Sequence, residues 1–314
     1  MKVFESRFTK SELGSLIPIL QNADLGFGPN VSLFENEFAA YSNKKYNIAT
    51  NSASASAFLI FAYLKDVYGE CDVYTPSLGF TSPAWAAQHF GHNIIWVDIN
   101  DNLLFDCKDY LKKRRSGTKV VMPILYGGVS RIDDWDLAGD EIVVVDSAHC
   151  ATPTIKSDFT FFSFHPYKPI CSSDGGMIST DNQEASEWFQ AYRNFGRKNT
   201  NNSYDIAQDG FKFYMNNLNA SIALISLSKY KKDLKTRKFN YKKLDNVLPH
   251  DEHSSFYFAT KLSGDADNFN KDHQLSRHYP LLHKTKYFNS SIFLSNTEKL
   301  HKEIINLPLY KIIN

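Results

Sequence analysis

The chain has 314 residues, of which 43% are hydrophobic, so it can bury a sizeable core in one large domain or two smaller ones. Its 35 basic and 34 acidic residues leave a formal net charge of +1, which argues against the strongly basic surface of a nucleic-acid-binding protein. No apolar run reaches the roughly 18 residues that a membrane-spanning helix needs. The opening stretch MKVFESRFTKSEL lacks the apolar core of a signal peptide. We therefore expect a cytoplasmic protein that binds neither membranes nor nucleic acids.

The four cysteines are scattered through the first 171 residues and form neither a CxxC pair nor a tight cluster with histidines. Such spacing does not fit a zinc site, and a disulfide framework is not expected in a chain of this length. We expect no metal site.

The first half of the chain alternates helical and strand patterns. VSLFENEFAAY (residues 31–41) places Val31, Phe34, Phe38 and Tyr41 at helical spacing. A polar turn at residues 51–54, where Ser52 or Ser54 is the candidate N-cap, then leads into a second apolar helix.

A βα rhythm follows in residues 71–149. CDVYTPS, NIIWVDIN, KVVMPILYGG and EIVVVDSAH read as strands, and SPAWAAQHF reads as a helix between the first two. Short β-rich runs separated by helices predict a mostly parallel sheet covered on both faces. In such sheets ligands bind beyond the carboxyl ends of the strands, where Asp98, Tyr126 and Asp146 would collect.

The pattern changes after Gly196. Residues 197–210 are polar and predict a loop, and residues 217–244 predict a long helix that runs into a basic face. We place a domain boundary inside that helix. The prediction is a large α/β domain in residues 1–230 and a small α+β domain in residues 231–314.

One short region combines an acid and an amine with serines and glycines. Asp146 ends an apolar strand, and Lys168 follows 22 residues later in SFHPYK, ahead of Asp174 and a glycine pair. Alone, the acid would cap the next turn and the lysine would be solvated. Glycines, however, allow close approach of the backbone to a ligand, and serines with helix-start amides hold phosphate. An acid, a lysine and a phosphate cradle are what pyridoxal phosphate needs.

The order of motifs resembles the DegT/DnrJ/EryC1/StrS family of sugar aminotransferases. GFGPNVSLFENEFAAYSNKKY (residues 26–46) is similar to the family's opening signature. PILYGG, VVDSAH, SFHPYK, DGGMIST, RNFG, GFKFYMNNLNA and NLPLY follow in the family's order. The resemblance covers nearly the whole chain. It implies a type I pyridoxal phosphate-dependent transferase fold with a small, shortened C-terminal domain.

The same resemblance implies roles for five residues of the reaction centre. Lys168 would form the Schiff base with the cofactor, as an internal aldimine, and Asp146 would hold its pyridine nitrogen. His149 would lie by the ring hydroxyl, where a structural histidine is the alternative. Tyr279 and His283, in RHYPLLH, match the region near the sugar substrate. A packed tyrosine and a surface histidine are the alternatives there.

Five further residues would bind the cofactor. Phe80 matches the aromatic residue that stacks on the ring, with core packing as the alternative. Ser54 and Ser163 would bind the phosphate, helped by the backbone amide of Ala53. Lys212 stands where relatives have an asparagine that reaches the phosphate of the neighbouring subunit, and a surface lysine is the alternative. A homodimer is therefore implied.

The chain also departs from the family pattern. Ser52-Ala53-Ser54 replaces Ser-Gly-Thr, Asp174 stands where relatives have a glutamate, and Tyr214 replaces an arginine. The C-terminal part looks shorter than in relatives.

The expected reaction is transfer of an amino group from an amino acid, glutamate by resemblance, to a nucleotide-linked keto-sugar, as in polysaccharide or O-antigen biosynthesis. One alternative is a sugar-nucleotide dehydratase, in which a histidine would replace Lys168. The other is a relative that binds the cofactor but has altered or lost turnover.

Overall fold

The computed structural model describes residues 8–21, 25–199, 203–275 and 277–310. Its strands are β1 (Tyr46–Thr50), β2 (Asp72–Pro76), β3 (Asn93–Val97), β4 (Lys119–Val121), β5 (Ile142–Asp146), β6 (Phe159–Ser163), β7 (Gly176–Thr180), β8 (Arg197–Asn199), β9 (Tyr204–Ile206), β10 (Phe258–Leu262) and β11 (Ile304–Pro308). Its α-helices are α1 (Lys10–Gly14), α2 (Ile17–Gln21), α3 (Pro29–Ser42), α4 (Ala53–Tyr68), α5 (Thr81–His89), α6 (Cys107–Lys113), α7 (Gln183–Tyr192), α8 (Asn217–Tyr241), α9 (Ala266–Asp272) and α10 (Ser295–Glu303).

A seven-stranded sheet in the order β1-β7-β6-β5-β4-β2-β3 forms the centre of the structure. The neighbours from β3 through β6 pair in parallel, and β7 alone runs against both of its partners. This confirms the predicted fold class, a mostly parallel α/β sheet. The crossovers bring the carboxyl ends of β2, β4, β5 and β6 to one edge.

Both faces of the sheet are buried, which explains the apolar runs in its central strands. Val120 and Val144 belong to the core cluster on one face, with the inner side of α4. Val121 and Val145 belong to the cluster on the other face, together with Phe105. Adjacent residues of a strand point to opposite faces, so a run such as IVVVD needs cover on both sides.

Helix α8 connects the central sheet to the C-terminal part of the chain. It has 25 residues, and the C-terminal part contains the antiparallel pair β10–β11 with α9 and α10. The predicted division between residues 230 and 231 lies inside α8 and stays a prediction. Residues 197–210, predicted as a loop, contain the antiparallel hairpin β8–β9. Strand β9 has only three residues, all solvent-exposed, so its pattern is too short to predict a strand.

Within the described ranges, no helix is both long enough and apolar enough to cross a bilayer. The same residues contain no group of three or more histidine, cysteine or acidic side chains arranged to hold a metal ion.

Candidate active site

A cavity of about 350 Å³ opens at the edge where the parallel strands end. Its walls come from the end of β5, the end of β6, the start of α4 and the segments 80–83, 165–175 and 278–279. The cavity therefore joins stretches that lie far apart in the sequence. A larger hollow of about 660 Å³ adjoins it through Ser54 and Ser82, and Trp85, His89 and Tyr287 line that hollow.

Asp146, the last residue of β5, lines the cavity. The residue is only 4% exposed, and its carboxyl accepts a hydrogen bond from the backbone N–H of Ala148 at 3.0 Å. Burial raises the pKa of this carboxyl to about 6, although the Ala148 N–H and the charge of Lys168 oppose the rise. A cationic or protonated partner would stabilise the ionised form of this buried carboxyl.

Lys168 lines the same cavity and is also buried, at 9% exposure. Its Nζ lies 4.7 Å from the centre of the Tyr257 ring. Burial lowers the pKa of its amine to about 8, while the charge of Asp146 acts in the opposite direction. The structure therefore brings Asp146 and Lys168 to one cavity, as the sequence analysis predicts.

His149 lines the same cavity as the acid and the lysine, with aromatic rings around it. Its Nε2 lies 2.8 Å from the hydroxyl of Tyr279, and its ring centre lies 4.6 Å from that of Tyr257. Its Nδ1 is buried and has no hydrogen-bond partner among the described residues. Burial and the nearby charges of Lys168 and His278 lower the pKa of this imidazole well below its usual value, so the ring is neutral.

The start of helix α4 forms another wall. Ser52 is the N-cap, and its side chain accepts from the N–H of Ala55 at 3.1 Å, which decides between Ser52 and Ser54. The hydroxyl of Ser54 instead donates to Ser82 at 2.7 Å, inside the cavity. The N–H groups of the first helical turn lack partners within the helix, so this end favours an anion.

The model of the DegT/DnrJ/EryC1/StrS aminotransferase family matches residues 7–314. The chain belongs to this family. Membership confirms the family resemblance and the fold type predicted from the sequence, and with them pyridoxal phosphate as the cofactor of the family.

Relatives of the DegT/DnrJ/EryC1/StrS family include the spore coat polysaccharide biosynthesis protein SpsC of Bacillus subtilis. It is 31% identical over 241 residues, which are 70% of this chain and 62% of that protein. The putative sugar aminotransferase Spr1654 from Streptococcus pneumoniae, in its PLP form, is 22% identical and has a TM-score of 0.87 over 100% of this chain and 94% of its own. NtdA from Bacillus subtilis, with bound cofactor PMP, is 24% identical and has a TM-score of 0.80 over 96% and 78% of the two chains. The two solved structures support the fold.

Most of the residues that the DegT/DnrJ/EryC1/StrS resemblance singles out line the cavity: Ala53, Ser54, Phe80, Asp146, His149, Ser163, Lys168 and Tyr279. Phe80 is 55% exposed, so the core-packing alternative is wrong for this residue. Lys212 lies on the surface and outside this cavity, with its Nζ over the Tyr214 ring.

His283 does not reach the cavity, and the structure corrects both sequence readings of it. Its side chain is fully buried, so it is not a surface histidine, and no ligand can contact it in this arrangement. Its Nδ1 bonds the hydroxyl of Ser77, and its Nε2 lies 3.2 Å from Glu298. This serine, histidine and glutamate resemble a hydrolytic triad only in composition, because Ser77 is itself fully buried and cannot meet a substrate.

Three further cavity residues escaped the sequence analysis. Tyr257 packs against both Lys168 and His149, Ser82 bonds Ser54, and His278 lies beside Tyr279. Ser82 follows Phe80 by two residues and could have been found from that motif. Tyr257 lies in a segment without a motif, and only the tertiary structure brings it to the site.

Proposed function

We propose that the protein is a pyridoxal phosphate-dependent aminotransferase that moves an amino group from glutamate to a nucleotide-linked keto-sugar. The observation that carries this proposal is the pairing of Asp146 and Lys168 in one cavity. Burial moves their two pKa values towards each other, to about 6 and about 8. Groups whose pKa values approach the working pH suit binding and proton transfer.

The volume of the cavity and one unpaired polar atom in its wall suit the cofactor. Its volume of about 350 Å³ suits a small heterocycle with a phosphate. The buried Nδ1 of His149 offers one hydrogen-bonding position that the described residues leave unused. Gly176 is also required, since a Cβ there would collide with the backbone of Ser52 and Ala53 where α4 begins.

The cofactor supplies an electron sink when bound, and the protein supplies the contacts. Asp146 would hold the pyridine nitrogen. A buried carboxylate needs a cationic partner, and the protonated nitrogen would be that partner. Ser54, Ser163 and the Ala53 amide would bind the phosphate. Phe80 would cover one face of the ring.

Lys168 would bind the aldehyde carbon with loss of water. The amine of the amino donor would then replace it on that carbon, and the released Lys168 amine would carry the proton between neighbouring carbon atoms. A lysine with an ordinary pKa of 10.5 is almost entirely protonated at neutral pH and is a poor base. At a pKa of about 8, roughly a tenth of the amine is free at pH 7. Its position in the cavity and its lowered pKa both support this role.

The larger hollow beside the cavity supports a bulky substrate. Its volume of about 660 Å³ and its aromatic residues Trp85 and Tyr287 suit a sugar joined to a nucleotide. SpsC is named for polysaccharide biosynthesis, which supports the same class of pathway for this chain. A substrate contact for Tyr279 is part of this proposal.

A homodimer would complete the site. Phe211 is 54% exposed, and the neighbouring Lys212 is solvent-exposed and does not line the cavity of its own chain. Lys212 would reach the phosphate bound in a second copy, as a point cation suited to phosphate. Sedimentation of the purified protein checks this expectation.

Two measurements test the function. Protein mixed with pyridoxal phosphate should acquire an absorbance band of the bound cofactor, which Lys168→Ala abolishes and the surface variant Lys235→Ala keeps. A panel of nucleotide keto-sugars with ¹⁵N-glutamate, analysed by mass spectrometry, should yield a labelled amino-sugar. Loss of water from the sugar without label would identify a dehydratase. Absence of any band after reconstitution would overturn the proposal.

A further inference from the structure

The contact between Tyr279 and His149 has a consequence for the protonation of the histidine. We propose that Tyr279 is a positioning residue that holds His149 as the tautomer protonated on Nδ1, so that the ring donates a hydrogen bond to an acceptor oxygen in the cavity. This inference rests on the proposed function, since the oxygen it would meet is the phenolic oxygen of the cofactor.

The direction of the hydrogen bond follows from a count of unpaired groups. If Tyr279 donates to Nε2, the proton on Nδ1 is the one group left without a partner among the described residues. If Nε2 donates instead, the hydroxyl proton of Tyr279 has no acceptor among those residues, and Nδ1 also lacks a donor. Buried polar groups without partners are costly, so the first arrangement is favoured. The bond at one ring nitrogen thus fixes the proton on the other.

Tyr279 can impose this choice because its own position does not depend on a ligand. Its ring stacks on that of His149 at 5.9 Å, and its carbonyl accepts from His301 at 3.0 Å. Just downstream, Leu281 pairs with Leu78 in an isolated bridge, and the N–H of Leu282 donates to the carbonyl of Ser77 at 3.0 Å.

His283 also holds the segment that contains Tyr279, Leu281 and Leu282 in place. It bonds the Ser77 hydroxyl on one side and Glu298 on the other, in full burial. Ser77 directly follows β2 and precedes Phe80 by three residues. The segment that carries Tyr279 is therefore bonded to the loop after β2 that carries Phe80, and His283 supplies part of that connection.

A donor at Nδ1 selects the chemistry of its ligand. The neutral ring would present one N–H to an oxygen that carries a lone pair or a negative charge, and it would disfavour a hydroxyl that must itself donate. A phenolic oxygen held in its anionic form meets that requirement. The hydrogen bond from a positioned ring then replaces solvation by water.

The test is ¹⁵N NMR of the histidine side chains in the cofactor-free protein, for the wild type and Tyr279→Phe, with His149→Asn to assign the signals. We expect the wild type to carry the proton on Nδ1 of His149 and Tyr279→Phe to shift the signals towards Nε2–H. Tyr126→Phe is the matched control. Its ring lies 6.0 Å from His149, but its hydroxyl bonds Asn306 and the carbonyl of Arg277 instead. That variant should leave the signals of His149 unchanged.

A wild-type His149 protonated on Nε2 overturns the inference, even if Tyr279→Phe fails to fold. Equal spectra for wild type and Tyr279→Phe also overturn it. With pyridoxal phosphate bound, the pH at which its absorbance changes should move upwards in Tyr279→Phe and stay in place in Tyr126→Phe. Failure of the wild type to bind the cofactor would reject the proposed function and leave the NMR result standing.

Discussion

The buried amine of Lys168 should destabilise the cofactor-free protein at neutral pH. Burial lowers the pKa of this group from the ordinary 10.5 to about 8, so the folded protein binds fewer protons than the unfolded chain between these values. Stability contributed by this group therefore rises with pH from about 8 to about 10.5. Each pKa unit equals about 1.4 kcal/mol, so below pH 8 the buried charge costs on the order of 3 kcal/mol.

Lys168→Met tests this reasoning, because methionine keeps an unbranched side chain and removes the charge. Unfolding entropy of about 2.1 cal/mol/K per residue converts 3 kcal/mol into a rise in Tm of about 4.5 °C for a chain of 314 residues. Calorimetry of the cofactor-free proteins at pH 7 should show this rise. The difference from wild type should shrink above pH 8, fall to roughly a quarter of its pH 7 value at pH 10, and nearly vanish by about pH 11.

Lys235→Met, on the exposed side of α8, is the matched control and should leave Tm unchanged at every pH. A Lys168→Met protein that melts at or below the wild-type temperature at pH 7 would refute the argument. An increase that is equally large at pH 7 and pH 10 would refute it too, because the cost would then not come from the charge.

Four further changes have defined outcomes. Asp146→Asn should lower kcat for transfer of label from glutamate by about 10- to 100-fold, since a hydrogen bond to a charged group contributes about 1.5–3 kcal/mol; an unchanged kcat contradicts the assignment. The rate at which pyridoxal phosphate is taken up, followed by stopped-flow absorbance, should rise with pH and level off above about 8, as the amine of Lys168 loses its proton; a flat profile argues against this nucleophile. Gly176→Ala should lower the free energy of unfolding by about 1–3 kcal/mol and weaken cofactor binding in an absorbance titration, because the added methyl meets the backbone of Ser52; Gly264→Ala, which meets nothing within 4 Å, should change neither. His283→Ala should lower Tm by several degrees, because it removes a fully buried ring that is hydrogen-bonded at both nitrogens. A variant with wild-type stability and a raised KM would instead indicate that His283 contacts the substrate.

The motifs on strand ends were predictable because they are local. Apolar runs such as IVVVD mark strands buried on both faces, and the parallel topology they imply sends Asp146 to the edge of the sheet where ligands bind. The lysine and the glycine pair follow within 30 residues of that acid. Functional residues that lie close together in the sequence of a regular fold can therefore be predicted from the sequence alone.

The hairpin β8–β9 could not be predicted in the same way. Its two strands have only three residues each, and all three residues of β9 are exposed, so neither a period of two nor an apolar run is long enough to distinguish them from a loop. The two strands are held together by backbone pairing, which the side-chain pattern does not specify.

The sequence by itself determined the family, the sheet class and the meeting of Asp146 with Lys168, because these depend on local patterns and on the order of motifs. Only the tertiary structure decided that Tyr279 bonds His149 across 130 residues and that His283 is locked against Ser77 across 206. Such contacts join side chains that lie far apart in the sequence. Their partners are selected by burial and hydrogen-bond satisfaction in three dimensions, which no spacing in the sequence encodes.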